Sequence, residues 1–364
     1  MPENQKVAVT IYVRCDDRTT SPGTRYINLR RLAMAPLTAA EIVQHPEFEH
    51  VTWDLKPSKK GKVAVANGRG GPINISYEVH GEGPKHIVWI MGLAAYKTAW
   101  QRQTKDFGHD QSSKYSCLIF DNRGIADSDK PFMRYSTSEM AKDTLELLDH
   151  VGWTGRRELH VVGVSMGGMI AQELAMLDPE RIASLSLIST CARLVNTVGF
   201  VQNLRNRINL FIPKAIDIQL AEVKARMFSQ GWLDEPDAEG GFPTNGDRFA
   251  AQEVNKRRDV NGFTKKGFIL QAIAAGWHHK TAAQLKVLAD KVGRDRIQVM
   301  HGTIDNMITP PHAEVLVTEL GGEEQGVTKY IFQGRGHVLM LEERKEFARL
   351  IAAFIEKTEA MKGE

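Results

Sequence analysis

From about Lys62 the chain alternates in the manner of strands: KVAVA, then INISYEV beyond Gly68 to Pro72, closing in the turn HGEGP. Two strands joined by a glycine-rich loop predict a hairpin. HIVWIM (residues 86–91) and YSCLIFD (residues 115–121) are instead short, nearly continuous apolar runs. That pattern belongs to parallel strands covered by helices on both faces, where no position looks onto water. The period then changes. SEMAKDTLELLDHVG (residues 138–152) opens on Ser138 as an N-cap and brings Met140, Leu145, Leu147, Leu148 and Val151 close to helical spacing. LHVVGV runs into a helix from about Met166, and LSLIS (185–189), IQVMHG (297–302) and TKYIFQG (328–334) repeat the alternation. The eight strand-like runs predict an α/β fold: a mostly parallel eight-stranded sheet with helices on both faces.

Residues 193–285 break this rhythm. They read as several helices separated by a polar Gly/Pro-rich stretch from Asp234 to Asp247, with no buried strand, and are expected to form an insertion. The core is then residues 61–192 and 286–358, preceded by an N-terminal extension over 1–60 that is expected to be partly disordered. No internal repeat is present.

Over 364 residues, 42% are hydrophobic and 25% charged, which is enough for a sizeable core and argues against wholesale disorder. The net charge of +3 is spread without a dense basic block, so no nucleic-acid partner is expected. The longest apolar run, Ile87 to Ala95, falls short of the roughly 18 residues of a membrane-spanning helix. Three cysteines, Cys15, Cys117 and Cys191, leave an odd one and no CxxC pair, which fits a reducing compartment. The first residues lack the basic-then-apolar order of a secretory signal, so a cytoplasmic location is expected. Arg18, Arg25, Arg30 and Arg31 in an acid-free stretch keep a mitochondrial presequence as the alternative.

The chemistry concentrates in LHVVGVSMGGMIAQELA, residues 159–175, a buried strand running through G-x-S-x-G into an amphipathic helix. Gly163 and Gly167 leave room for a strand-to-helix turn tight enough to lift the Ser165 hydroxyl out of the sheet. The N-terminus of the following helix aims free N–H groups and a positive dipole end at the same place. A serine hydroxyl needs a base, and the base an orienting carboxylate. Where this turn is a nucleophile elbow the chain order is serine, acid, histidine. Asp305, in the loop after IQVMHG, and His337, in GRGHVLMLE after the last strand, satisfy that order. His278, His279, His301 and His312 do not match it and have surface or capping readings.

On these residues the stretch 62–357 resembles the α/β-hydrolase superfamily, in its lid-bearing, esterase- and lipase-like branch of serine hydrolases. The resemblance implies that Ser165, Asp305 and His337 are nucleophile, acid and base. IFDNRGIADSD (residues 119–129) is similar to the DxRGxGxS turn of that family, with Asp121, Arg123, Gly124 and Ser128 matching and Ala126 in place of a glycine. These four are expected to hold the loop by turn bonds and an arginine fork. Met91-Gly92 stands where the family often has His-Gly. The implied oxyanion donors are the backbone N–H groups of Leu93 and Met166, whatever their side chains. The helical insertion is implied to be a lid, with Phe200, Leu204, Phe211, Met227, Phe268, Ile273 and Trp277 as candidates for a mainly apolar lining.

No HExxH, P-loop or strand-linked GxGxxG occurs, so neither a metal nor a nucleotide cofactor is expected. The resulting expectation is a serine hydrolase that cleaves a carboxylic ester, thioester or lactone of a small, mainly apolar substrate through an acyl-enzyme. Two alternatives stay open: a carbon–carbon bond hydrolase or acyltransferase of a biosynthetic pathway, and a small-molecule receptor with vestigial hydrolysis.

Overall fold

The computed structural model describes residues 35–195 and 214–361. Eight strands form one sheet in the order β1-β2-β4-β3-β5-β6-β7-β8. They are β1 (Lys59–Val65), β2 (Ile73–His80), β3 (Lys85–Ile90), β4 (Tyr115–Phe120), β5 (Leu159–Val164), β6 (Ile182–Ile188), β7 (Ile297–Gly302) and β8 (Thr328–Phe332). β1 pairs antiparallel with β2 and β2 antiparallel with β4, and every later pairing is parallel. The predicted hairpin is therefore the antiparallel edge of an otherwise parallel sheet.

The continuous apolar runs follow from burial on both faces. In β3, Val88 and Ile90 pack on one side of the sheet while Ile87 and Trp89 pack on the other. In β5, Leu159 and Val161 divide in the same way from Val162 and Val164. One face is covered by α2 (Thr137–Val151), α3 (Met166–Leu177), α8 (Ala282–Val292) and α9 (Pro311–Leu320). The other carries α11 (Arg344–Ala360) and the Trp100–Phe107 segment. The cap of α2 is Ser136, whose side chain accepts from the Glu139 N–H, two residues before the expected Ser138. The helix ends at Gly152, whose φ of 85° closes it in the left-handed conformation that glycine takes without strain.

Between β6 and β7 the chain leaves the sheet and returns. The departure is marked by a bridge of Arg193 with His279 and by Lys280 N–H donating to the Ala192 carbonyl at 2.8 Å. In the described part between them lie α4 (Ile216–Met227), α5 (Gln230–Asp234), α6 (Asn245–Arg258) and α7 (Lys265–Gly276). α8 begins within the expected insertion, yet it buries Leu285, Leu288, Ala289 and Val292 against the sheet.

Residues 36–58, before β1, belong to the same compact unit as the sheet. Thr38 and Glu41 form a capping box that starts α1 (Ala39–Gln44). Ala39, Ile42, Phe48 and Val51 then pack against Leu220 of α4 and Ala250, Ala251 and Val254 of α6. Asp247 accepts from the Leu37 N–H at 2.9 Å and Asp217 from the Ala39 N–H at 2.7 Å, so the segment is strapped to the inserted helices. Among the described residues no helix is long and apolar enough to cross a membrane.

Candidate active site

β3, β5, β7 and β8 run parallel, so the loops after them emerge at one edge of the sheet. That edge is where side chains can gather over a crevice. Ser165 follows β5 directly, Gly92 lies two residues beyond β3, Asp305 three beyond β7, and His337 five beyond β8.

Ser165 has φ 55° and ψ −123°, a backbone region that an L-residue enters only under strain. Its neighbours leave no alternative. A Cβ on Gly163 would lie 2.3 Å from the Gly167 carbonyl oxygen, and one on Gly167 would lie 2.1 Å from the Ile90 oxygen of β3. The Ser165 N–H extends the pairing of β5 with β6, donating to the Ile188 carbonyl at 2.9 Å, and the Ser165 carbonyl accepts from the N–H groups of Gly168 and Met169 and from the Thr190 hydroxyl. Gly167→Ala is expected to lower folding stability by about 3 kcal/mol, because the clash is with strand backbone rather than a movable side chain. Urea unfolding measures it; an unchanged midpoint would contradict the steric account.

The Met166 N–H begins α3 and has no carbonyl one turn back to bond. Gly92 passes close by: a Cβ on it would sit 3.1 Å from the Ser165 Cβ and 3.6 Å from its Oγ. Of the next two amides in this loop, the Ala94 N–H is bonded to Gln271 Oε1 at 2.8 Å. Asn122 Nδ2 donates to the Met91 carbonyl at 3.0 Å and fixes the start of the loop.

Asp305 is buried, with one carboxylate oxygen accepting from the N–H groups of Met307 and Ile308 at 2.8 and 2.9 Å. The other accepts from His337 Nδ1 at 2.7 Å. A carboxylate only accepts, so Nδ1 carries a hydrogen, and in the neutral ring the lone pair is then on Nε2. Burial alone would raise the Asp305 pKa, but His337 and His301 together hold it well below the usual carboxylate range. The His337 N–H donates to the Met227 carbonyl at the end of α4, at 2.7 Å. Val338 joins Met91 and Val164 in one buried cluster, and Ile308 packs with Met169 of α3 and with Cys191. The histidine and acid loops thus share their packing with the elements that carry Ser165 and Gly92.

His301, set aside by chain order, lies beside the acid: its Nε2 donates to the Ile308 carbonyl at 2.7 Å and is 3.3 Å from the second Asp305 oxygen. Its position at the end of β7, four residues before Asp305, was the signal for it. His278 is buried against the Thr137 hydroxyl at 2.9 Å, and burial, with Lys280 and His279 nearby, pushes its pKa down to about 3. His312 is spent on Val195 N–H and Thr309.

The turn after β4 matches expectation. Arg123 grips Asp143 with two bonds of 2.5 and 2.6 Å, and Ser128 Oγ donates to the Asp121 carbonyl while accepting from the Ser76 N–H. Ala126 takes φ 48°, the left-handed conformation for which the family's glycine is suited. Lys97 Nζ, 2.8 Å from Asp121 and 3.1 Å from Asp127, neutralises the buried acid of this turn.

The proposed lining is a different matter. Phe200, Leu204 and Phe211 lie outside the described residues. Met227 is packed into the core cluster around Phe228 and Trp232, and Phe268 sits 6.4 Å from the Phe263 ring. Trp277 corrects the expectation: it is 73% exposed, with Arg134 over its ring, and so faces solvent rather than an enclosed cavity. Its place at the helix end explains this, since Trp277 caps α7 just before the chain returns to the core. Two surface clefts, of about 390 and 320 Å³, are lined by polar residues around Ser58 and Asp129, and no triad candidate lines either. Among the described residues no group of three or more His, Cys, Asp or Glu side chains is arranged to hold a metal ion.

Residues 85–344 match the family described as alpha/beta hydrolase fold. The chain is 24% identical over 164 residues to 3-oxoadipate enol-lactonase 2 of Acinetobacter baylyi, covering 45% of this chain and 57% of that one. It spans about half the length of the curated relatives it matches. Among solved structures it is similar to a thermophilic esterase from Thermogutta terrifontis, with TM-score 0.63 and 18% identity over 83% of this chain and 99% of that one. It is also similar to an enol-lactonase from Burkholderia xenovorans, with TM-score 0.60 and 20% identity over 81% and 100% of the two chains.

Proposed function

The chain belongs to the alpha/beta hydrolase fold family, and from that premise we propose that it is a serine hydrolase cleaving a carboxylic ester or lactone of a small, mainly apolar substrate. The observation that carries this reading is the 2.7 Å bond from His337 to Asp305, made at the sheet edge from which Ser165 projects on its strained turn. With Nδ1 bonded to the acid, Nε2 accepts the Ser165 proton as Oγ attacks the acyl carbon. The imidazolium that forms is stabilised by the Asp305 carboxylate and returns its proton to the leaving oxygen. The acyl-enzyme is then hydrolysed by water that the same histidine deprotonates.

The oxyanion is held by the backbone N–H groups of Met166 and Leu93. Support for Leu93 comes from its loop, where the Ala94 N–H is already bonded to Gln271. The helices α4 to α7 serve as the lid, in keeping with the bonds from His337 to Met227 and from Ala94 to Gln271. Ile304 and Met307 flank Asp305 and are each more than two-fifths exposed, as is Leu194 where the insertion leaves the core. Apolar groups left at the rim of a polar site favour an uncharged substrate.

A fluorophosphonate probe tests the reading directly. It is expected to add one phosphonyl group to the native protein, located on Ser165 by peptide mapping, with hydrolysis of nitrophenyl acetate or butyrate lost in proportion. An adduct on another residue, or labelling that leaves turnover intact, would reject it.

A further inference from the structure

We propose that Gln271 is a positioning residue for the oxyanion hole, through which the inserted helix α7 sets the direction of the Leu93 N–H. The inference rests on the serine hydrolase reading and deepens it. Gln271 is fully buried, and its amide is used at both ends. Oε1 accepts from the Ala94 N–H at 2.8 Å, and Nε2 donates to the Arg123 carbonyl at 2.9 Å. The orientation is forced, since one partner can only donate and the other only accept. A hydrophobic side chain would leave both backbone groups buried without partners.

Ala94 has φ 59°, a left-handed conformation that an alanine holds only when its surroundings fix it. The Gln271 bond fixes the Leu93–Ala94 peptide plane. Upstream, Asn122 holds the Met91 carbonyl at 3.0 Å, and the Ala95 N–H closes back on the Gly92 carbonyl at 3.5 Å. Leu93 therefore stands between two restrained peptides, in a loop whose Gly92 lies against Ser165. The docking of α7 is close enough to transmit this restraint: a Cβ on Gly267 would lie 1.9 Å from the Gly124 carbonyl oxygen, one residue from the Arg123 carbonyl that Gln271 grips. Hydrogen-bond donors aimed at a developing oxyanion act only if they are held in place before charge appears. Gln271 touches no reacting atom, and its role is to keep that amide from turning away.

The test compares Gln271→Met, nearly isosteric but unable to make either bond well, and Gln271→Asn, too short to reach both partners. Nitrophenyl butyrate gives kcat and KM, and an alkyl boronic acid, which forms a tetrahedral adduct on the serine oxygen, gives affinity for a mimic of the transition state. The expected result is a loss of about tenfold to hundredfold in kcat and a parallel loss in boronic acid affinity, with KM changed less than about threefold, in protein of native circular dichroism. If the Met variant does not fold, the milder Asn variant decides. Loss of the folded state in both would make Gln271 a folding residue and overturn the proposal, as would kcat and boronate affinity within about threefold of the native protein. If the boronic acid engages Ser165 in the native protein while the Gln271 variants match it, only the positioning role fails. If Ser165→Ala turns over at the native rate, the hydrolase reading itself fails.

Discussion

Ser165→Ala is expected to lower kcat/KM for a short nitrophenyl ester by about 10⁴-fold or more while leaving the fold intact. The two halves of this result have separate causes. Activity goes because no other hydroxyl is lifted out of the sheet on that turn, and His337 Nε2 is left with no proton to take. Stability stays because alanine has the same Cβ and so the same backbone strain at φ 55°, while the backbone bonds from Ser165 N–H to Ile188 and from Thr190 to the Ser165 carbonyl remain. The variant should unfold within about 1 kcal/mol of the native protein. Residual hydrolysis above the buffer rate is expected, since the proposed oxyanion donors persist. Turnover comparable to the native protein would remove Ser165 from the proposed mechanism altogether.

Ser165 was legible in the sequence because everything that makes it the candidate nucleophile is local: a fully buried six-residue strand, two glycines whose missing Cβ atoms give way to backbone at 2.1 and 2.3 Å, and a helix that starts at once. Asp305 and His337 could be picked by chain order because parallel strands return every loop to the same edge. The partners that refine the site were not legible. Gln271 meets Ala94 across 177 positions and Asn122 meets Met91 across 31, and neither residue type carries a motif. His301 was visible as a residue but not as a neighbour of the acid, since its ring reaches Asp305 only when the β7 loop folds back over it. The segment from Pro36 to Val51 escaped for a similar reason: its apolar side chains are few, and their burial comes from α4 and α6, far along the chain. The misjudged Trp277 has the opposite cause. An apolar ring at helical spacing suggested an inner face, whereas the end of α7 and Arg134 turn it to water.

Asp305→Asn should cost about as much as losing the nucleophile, close to 10⁴-fold in kcat at neutral pH, although it changes a single atom. All the partners of this carboxylate are donors: Met307 and Ile308 N–H on one oxygen, His337 Nδ1 on the other with His301 Nε2 at 3.3 Å. Asparagine must turn its oxygen to one pair and its NH₂ to the other. Two backbone N–H groups cannot change, whereas an imidazole can move its hydrogen, so the NH₂ faces His337 and donates to Nδ1. The hydrogen then resides on Nε2, the atom that has to accept from Ser165, and general-base catalysis stops. The same substitution has a signature in stability. The folded pKa of Asp305 is held below its unfolded value of about 3.9, so the carboxylate contributes stability fully above that pH and loses it as the pH falls through the folded value. The difference in unfolding free energy between the native protein and Asp305→Asn should therefore be constant near neutrality and shrink below about pH 4. Urea titrations of both proteins from about pH 7 to about pH 3 measure it. A gap that widens with acid would mean that the carboxylate is not ionised in the fold, and the imidazole could not then be oriented as proposed.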